Sequence, residues 1–369
     1  MPHINEILFQ LSLFIVMIGF SILINGLFLN FSKTLGVRSN TIDDGTIIRW
    51  GSTSKPAFGG ISFYILFLVS FVIAAFKHYE IATATTIGIL IASSLGFMIG
   101  LADDAYNTKP LLKFLGQLLC AIILVLTGTT IDLFDNQILN IALTIFWVVG
   151  MMNSINMLDN MDAITTSVSI FICLTAAVLI LIDGNLFASQ KTLFIICIVQ
   201  VAALIGFLYF NWNPSRMYMG DTGSQFLGVL LAAIGIILFW NGTDQNWNGV
   251  DQHYEIAFSK KVLAALLVFI LPIIDTTTVT INRLMRGQSP FVGGKDHTTH
   301  HLSYAGLTDR HVAIVFCIIS AISLVMAIAI LHFINNWNYI TIALFSTYCI
   351  LLFSILFYLT KRKKKDEKK

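Results

Sequence analysis

Two carboxylates stand side by side in the stretch GLADDAYNTKP (residues 100–110), directly after a long apolar run, and Lys109 follows a few residues on. Adjacent like charges near a low-dielectric region repel, so Asp103 and Asp104 require a metal ion, a cationic partner or a shared proton. The pair suits a Mg²⁺ site or a general base beside a phosphate-binding lysine. Interfacial acids that merely cap a helix or pair with Lys109 would read the same way. A second polar group, NSINMLDNMDA (153–163), places Asn153, Asn156, Asp159, Asn160 and Asp162 at three- and four-residue steps. On a helix, Asn156, Asp159 and Asn160 would share one face. An aspartate at the centre of a membrane helix costs about 2.5–3.5 kcal/mol, so such a face is usually functional. Interhelical hydrogen bonding by the asparagines is the plainer reading.

Two further stretches carry chemistry. MGDTGS (219–224) sets Asp221 between Gly220 and Gly223. There the backbone can approach a ligand closely, and a carboxylate can hold a hard cation that bridges phosphates; a turn before the next apolar run explains the pattern equally well. DTTTVTINRLMRGQSPFVGGKDHTTHHL (275–302) carries Asp275, Arg283, Arg286, Lys295, Asp296, His297, His300 and His301. Arginine and histidine clamp pyrophosphate oxygens and offset transition-state charge. Three histidines this close could bind zinc, but no cysteine or glutamate stands nearby to complete the set, so phosphate contact ranks ahead.

The elements that must position these groups follow from composition. Of 369 residues, 56% are hydrophobic and 11% charged, with a mean hydropathy of +0.81, against about 25% charged in soluble domains. This implies an all-α polytopic integral membrane protein. Segments of about 20 apolar residues give about eleven transmembrane helices: 7–31, 58–76, 84–102, 111–128, 137–153, 163–182, 192–210, 224–240, 262–282, 312–334 and 338–360. The first is too long for a signal-peptide core and reads as a retained span. With the N-terminus outside and the C-terminus cytoplasmic, eighteen of the 22 Lys and Arg fall on the inner side and four on the outer, as the positive-inside rule requires. Residues 1–360 then form a single transmembrane domain, and 361–369 a basic cytoplasmic tail anchored at the membrane surface.

In this topology the polar stretches, with RWGSTSKPAFGG (49–60) among them, meet at the cytoplasmic face, where they suggest an active site. The longest outer loop, NGTDQNWNGVDQHYEIAFSKK (241–261), holds no compact cluster of acid, base and glycine. A transporter of an anionic solute, the alternative from another class, would place ionisable residues near the midplane on broken helices in repeated halves, and no internal repeat is present. The five cysteines lie in apolar runs and read as buried structural thiols. Gly96 and Gly100 form a small-xxx-small pair that could pack helices within one chain or across a homodimer.

Taken together, the motifs from KPAFGG to HTTHHL resemble, in order, those of the polyprenyl-phosphate N-acetylhexosamine-1-phosphate transferase family. The resemblance implies transfer of a sugar-1-phosphate from a UDP-N-acetylhexosamine to undecaprenyl phosphate in the membrane, with release of UMP. It also implies Mg²⁺ or Mn²⁺, a bacterial cytoplasmic-membrane location, lipid as a partner and no nucleic acid. By motif, Asp103 and Asp104 match the family's catalytic aspartate pair. Asn156 and Asp221 match its metal-coordinating positions, and Asp159 and Asp162 positions near the nucleotide. His297, His300, His301, Arg283 and Lys109 fall where substrate phosphate and sugar are held. DDAYNTKPLLKFLGQ and the histidine loop are similar to the bacterial N-acetylglucosamine-1-phosphate branch, as are an eleventh span and a cytoplasmic tail. The peptidoglycan branch, the phospho-N-acetylmuramoyl-pentapeptide transferases, is the alternative; it typically has three consecutive histidines where this chain has HTTHH. A single displacement is expected, with a covalent phosphosugar-aspartate as the other route.

Overall fold

Membrane-embedded backbone must satisfy its own hydrogen bonds, so a chain this apolar is expected to be helical throughout. The structure, a computed structural model, describes residues 2–34, 55–182, 188–242, 254–289, 293–334 and 336–361, and among these there is no strand. The helices are α1 (Pro2–Thr34), α2 (Gly59–Phe76), α3 (Ala84–Tyr106), α4 (Pro110–Leu126), α5 (Gln137–Leu158), α6 (Ile164–Ile182), α7 (Ala188–Asn211), α8 (Gly220–Gly235), α9 (Tyr254–Val268), α10 (Ile270–Met285), α11 (Thr298–Tyr304), α12 (Asp309–Ile328) and α13 (Tyr339–Lys361). Single π-helical turns, Ile236–Trp240 and Ala329–Phe333, extend α8 and α12. Residues 49–54, most of the 241–261 loop, 290–292 and the tail 362–369 lie outside the described residues.

Nine helices among the described residues are long and apolar enough to cross a membrane. The protein is a polytopic membrane protein. Each of the eleven apolar segments corresponds to a helix or a helix pair, with two differences from a plain span. The segment 111–128 becomes the shorter α4 of 17 residues. The segment 262–282 is broken, α9 and α10 meeting at 82°. Pro272 lies in the first turn of α10, lacks an N–H to donate back to the end of α9, and so ends one helix and starts the next.

From Phe226 onward helix α8 is apolar on every side, and every residue from Thr222 to Gly235 is buried, as a helical stretch with no polar face requires. It packs chiefly on α3 and α5, with α2 and α6 completing its surround. Glycine makes the approach possible at its N-terminal end. A Cβ on Gly60 of α2 would lie 2.2 Å from the Gly223 nitrogen, and one on Gly100 of α3 would lie 2.2 Å from the Asp221 carbonyl oxygen. Gly96, one turn earlier, faces Val229 and the Gln225 backbone. The Gly96–Gly100 pair is therefore used inside the chain, against α8. At the opposite extreme, α1 and α13 present mostly exposed apolar faces, as outermost spans do.

This packing makes a specific expectation. Gly100→Ala forces α3 away from α8 and is expected to cost about 1–3 kcal/mol, lowering the midpoint of thermal unfolding in detergent. Gly150→Ala, where nothing lies within 4 Å of the added methyl, is expected to leave the midpoint unchanged or slightly raised. Equal midpoints for both variants would contradict the close approach.

Candidate active site

The first turn of a helix leaves its N–H groups without intrahelical partners, and that of α8 lies in a crowded place. Asp104, at the end of α3, fills the need. Its Oδ1 accepts from the Asp221 amide at 2.9 Å, and its Oδ2 accepts from the Thr222 amide at 2.8 Å and the Thr222 hydroxyl at 2.6 Å. Gly220 clears the way: its φ is +73°, and a Cβ there would meet Asp104 Oδ2 at 2.6 Å. The approach to α8 is held from a second side, where Gly59 and Gly60 amides donate to the carbonyls of Tyr218 and Met219 at 3.1 and 3.0 Å. Asp104 thus fixes where Asp221 begins.

Asp103, its neighbour, points to different partners. Its Oδ1 accepts from the Thr108 amide at 2.9 Å and hydroxyl at 2.5 Å, and its Oδ2 receives Lys113 Nζ at 2.8 Å. The same Lys113 Nζ lies 2.7 Å from Asp221 Oδ2, while Asp221 Oδ1 accepts from Asn156 Nδ2 at 2.8 Å. One ammonium group, 17% exposed, therefore bridges two carboxylates from α3 and α8. Lys113, not Lys109, is the cation beside the aspartate pair: Lys109 caps α4 and is exposed, whereas Lys113 lies one turn further along that helix. The signal was present in sequence, since position i+4 from an N-cap turns back towards the preceding helix end, but proximity to Asp104 in the chain favoured Lys109.

The polar face drawn for Asn156, Asp159 and Asn160 is not one helical face. Helix α5 ends at Leu158, Asp159 occupies its C-cap, and Asn160 lies in the turn beyond. Asn156 alone of the three is helical. The Asp159 carboxyl is pushed up to about 8, by burial first and then by the negative charges of Asp221, Asp104 and Asp162. Asp162 serves the neighbouring loop: Oδ1 accepts from the Ser215 hydroxyl at 2.7 Å, Oδ2 from the Ser215 amide at 2.9 Å and Asn213 Nδ2 at 3.1 Å, with Lys55 Nζ at 3.7 Å. It ties the loop between α7 and α8 to the loop between α5 and α6.

The histidine loop docks on the same end of the bundle. Thr299 of α11 donates to Asn160 Oδ1 at 2.5 Å. Buried Asp275 of α10 holds His297 Nδ1 at 2.7 Å and accepts from the Thr298 amide and hydroxyl at 2.8 and 2.6 Å. His297 is thereby fixed in orientation, with Nε2 as its other ring nitrogen. Both threonines of HTTHH thus have structural work, one on Asp275 and one on Asn160. His300 is buried and packs edge-on against His297 with ring centroids 5.4 Å apart. Burial first, and then His297, lower it to about 3, so its ring is neutral near pH 7. His301 is half-buried against Tyr304. Arg283 forms a two-pronged pair with Asp296, Nη2–Oδ1 2.7 Å and Nε–Oδ2 3.0 Å. Burial raises the Asp296 carboxyl and Arg283 more than offsets this, so it sits below its ordinary value. Arg283 holds the loop shut through its own acid.

Asp103, Asp104, Lys113, Asn156, Asp159 and Asp221 are one cluster, and Asn160 and Thr299 link it to the histidines. Sequence comparison bears on this grouping. The glycosyl transferase family 4 model matches residues 86–239, a stretch that contains every member of the cluster. The chain is 27% identical to the probable undecaprenyl-phosphate N-acetylglucosaminyl 1-phosphate transferase of Bacillus subtilis over 81% of its own length and 79% of that protein's. It is 26% identical to the phospho-N-acetylmuramoyl-pentapeptide-transferase of Listeria welshimeri (83% and 93%) and 33% identical to that of Staphylococcus saprophyticus (53% and 66%). The chain is a relative of the polyprenyl-phosphate N-acetylhexosamine-1-phosphate transferases.

The donor set of the cluster decides which cation it could hold. Among the described residues no three His, Cys, Asp or Glu side chains group as a metal site. Mg²⁺, however, commonly uses one or two carboxylates together with substrate phosphates. Asp221 with Asp103 is such a partial carboxylate set, with Asn156 beside it turning its amide nitrogen to Asp221, and Lys113 already occupies the position between the carboxylates as their counter-charge. The residues fit a hard divalent cation completed by a diphosphate.

Two outcomes are expected of the cluster itself. Lys113→Met leaves Asp103 and Asp221 without their shared cation and is expected to destabilise the fold by on the order of 2 kcal/mol, between the surface and buried limits for ion pairs, while Lys109→Met changes the unfolding midpoint little. The Asp159 value lies above the ordinary carboxylate range of an unfolded chain. The folded protein therefore holds the extra proton between about pH 4 and about pH 8, and Asp159 makes stability fall as pH rises through that window. Asp159→Asn, scanned by thermal unfolding without divalent ions or nucleotide, is expected to flatten that decline; an unchanged slope would show that Asp159 ionises as it does in water.

Proposed function

We propose that the protein transfers N-acetylglucosamine-1-phosphate, or a related N-acetylhexosamine-1-phosphate, from the UDP-sugar to undecaprenyl phosphate. The products are UMP and undecaprenyl-diphosphate-sugar, and the step initiates a cell-envelope glycan. The observation that carries this reading is the Asp103–Lys113–Asp221 bridge at the half-buried N-terminus of α8. It concentrates acid where helices end, and there a lipid-dissolved acceptor and a water-dissolved donor can meet. The distribution of Lys and Arg supports an N-terminus outside and this end of the bundle in the cytoplasm of a bacterial cell.

Asp221 and Asn156, with Asp103 beside them, would hold Mg²⁺, or Mn²⁺ in its place, which when bound neutralises the donor diphosphate and stabilises UMP as it leaves. Asp103 orients the acceptor phosphate and takes its proton, when it carries one, at a carboxylate oxygen. A phosphate oxygen of the lipid then forms a bond to the phosphorus attached to the sugar, the bond from that phosphorus to the UMP oxygen breaks, and UMP departs with the electron pair. Lys113 balances Asp103 and Asp221 before the donor arrives and offers positive charge to phosphate oxygens afterwards. Asp104 sets the start of α8. Asp159 and Asp162 border the nucleotide, His297 and His301 reach phosphate and sugar, and Arg283 and His300 support that loop. Lys109, exposed beside the site, adds diffuse attraction for anions.

Purified protein with labelled UDP-N-acetylglucosamine, undecaprenyl phosphate and Mg²⁺ is expected to release UMP. Asp103→Asn and Asp221→Asn are each expected to lower the rate at least about 100-fold without changing the unfolding midpoint by more than a few degrees. Full activity in either variant would refute its role. The similarity to pentapeptide transferases makes the muramyl-pentapeptide nucleotide the second donor to test; faster UMP release from it would move the protein to that branch. Flux of an anionic solute across liposomes without any UDP-sugar would favour a transporter.

A further inference from the structure

One helical turn beneath the charged cluster lies a second polar layer, made entirely of neutral amides. Gln117 is four residues after Lys113 on α4, Gln225 four after Asp221 on α8, and Asn153 three before Asn156 on α5. Three of the four helices that carry a group of the cluster, α4, α5 and α8 but not α3, therefore carry one amide a turn deeper. The amides are joined in a line. Asn153 Nδ2 donates to Gln117 Oε1 at 2.8 Å and to the Val149 carbonyl at 2.8 Å, and Gln117 Nε2 donates to Gln225 Oε1 at 3.0 Å. Gln117 and Gln225 are 1% and 0% exposed. The Val149 carbonyl can only accept, so it fixes which end of the Asn153 amide faces Gln117, and that in turn orients Gln117 towards Gln225. The Gln225 Nε2 at the end of the line has no hydrogen-bond partner among the described residues.

Burying such a donor is costly, and leucine at all three positions would suit a helix bundle in lipid better. What the line does is tie α4, α5 and α8 at a fixed height without adding charge. These amides add no charge that would pull Lys113 or the carboxylates out of the Asp103–Lys113–Asp221 bridge, as a buried lysine or aspartate would, and in a low-dielectric interior their hydrogen bonds are strong and directional. We infer that Gln117, Asn153 and Gln225 are positioning residues that hold Lys113, Asn156 and Asp221 in register for phosphoryl transfer. The inference rests on the transferase reading given above. A shift of about 1 Å at reacting groups can cost on the order of 100-fold in rate.

The test uses the full-length protein in detergent and the UMP-release assay, with Gln117→Leu, Gln225→Leu and the double variant. Each single variant is expected to lower kcat about 10- to 100-fold with KM for both substrates within about twofold. Because both break the same contact, the double variant is expected to match the slower single one rather than multiply the two losses. A purely structural role would lower the unfolding midpoint and leave kcat per folded molecule unchanged. Gln225→Leu removes the partnerless donor, so it is expected to fold even if Gln117→Leu does not, and it then carries the test alone through kcat against KM. Wild-type kcat in the folded variants, or multiplying losses in the double, would overturn the positioning role. Absence of UMP release from the wild-type protein would instead overturn the transferase reading.

Discussion

The site is organised by the start of one buried helix. Beyond Gln225 helix α8 is apolar on every side and buried, yet the first amides of the helix need acceptors. Asp104 supplies them from α3, and Gly60, Gly100 and Gly220 open the space that lets the two helices come that close. The partial positive charge of the helix N-terminus favours acid there. Once Asp104 is spent on the cap, Asp103 and Asp221 remain face to face, and a single ammonium from α4 holds them together. Asp103, Asp104 and Asp221 against one lysine and one helix end leave the cluster with an excess of negative charge, and Asp159 beside them holds its proton. Such a site calls for a further cation when a diphosphate arrives.

Division of labour between adjacent like residues follows from this. Asp103 and Asp104 are chain neighbours of one chemical type, but a helix turns successive side chains by about 100°, so they face different elements. One meets Thr108 and Lys113, the other the α8 amides. The same economy recurs at the histidines, where Asp275 fixes His297 and the threonines between the histidines secure the loop. Arg283 spends its charge on Asp296 within the loop. Residues that read alike in a motif thus separate into those that face the reacting region and those that hold them there.

Much of this was legible from the chain. Apolar run length located a helix or helix pair for each of the eleven segments, nine of the described helices being long and apolar enough to cross a membrane, and the described parts of the polar stretches meet one another. What sequence could not show were long-range choices made by packing. Lys113 lies further from the aspartate pair in sequence than Lys109 but closer in space, because Pro110 starts a helix that carries the later lysine back towards α3. The local pattern places Asn156, Asp159 and Asn160 on one helical face because it has helical period, whereas α5 ends at Leu158. The break at Val268–Ile270 depends on a proline inside an otherwise continuous apolar run. The amide line from Asn153 through Gln117 to Gln225 joins three helices and leaves no local trace.

The central claim is that acids from α3 and α8 form one cation-holding pocket with the diphosphate. A crystallographic anomalous-difference map of the protein with Mn²⁺ and UDP-N-acetylglucosamine addresses it directly. The account expects one manganese peak within coordinating distance of Asp221 and of the donor phosphates, with Lys113 moved off at least one carboxylate. A diphosphate bound elsewhere, with the Asp103–Lys113–Asp221 bridge still closed, would contradict it.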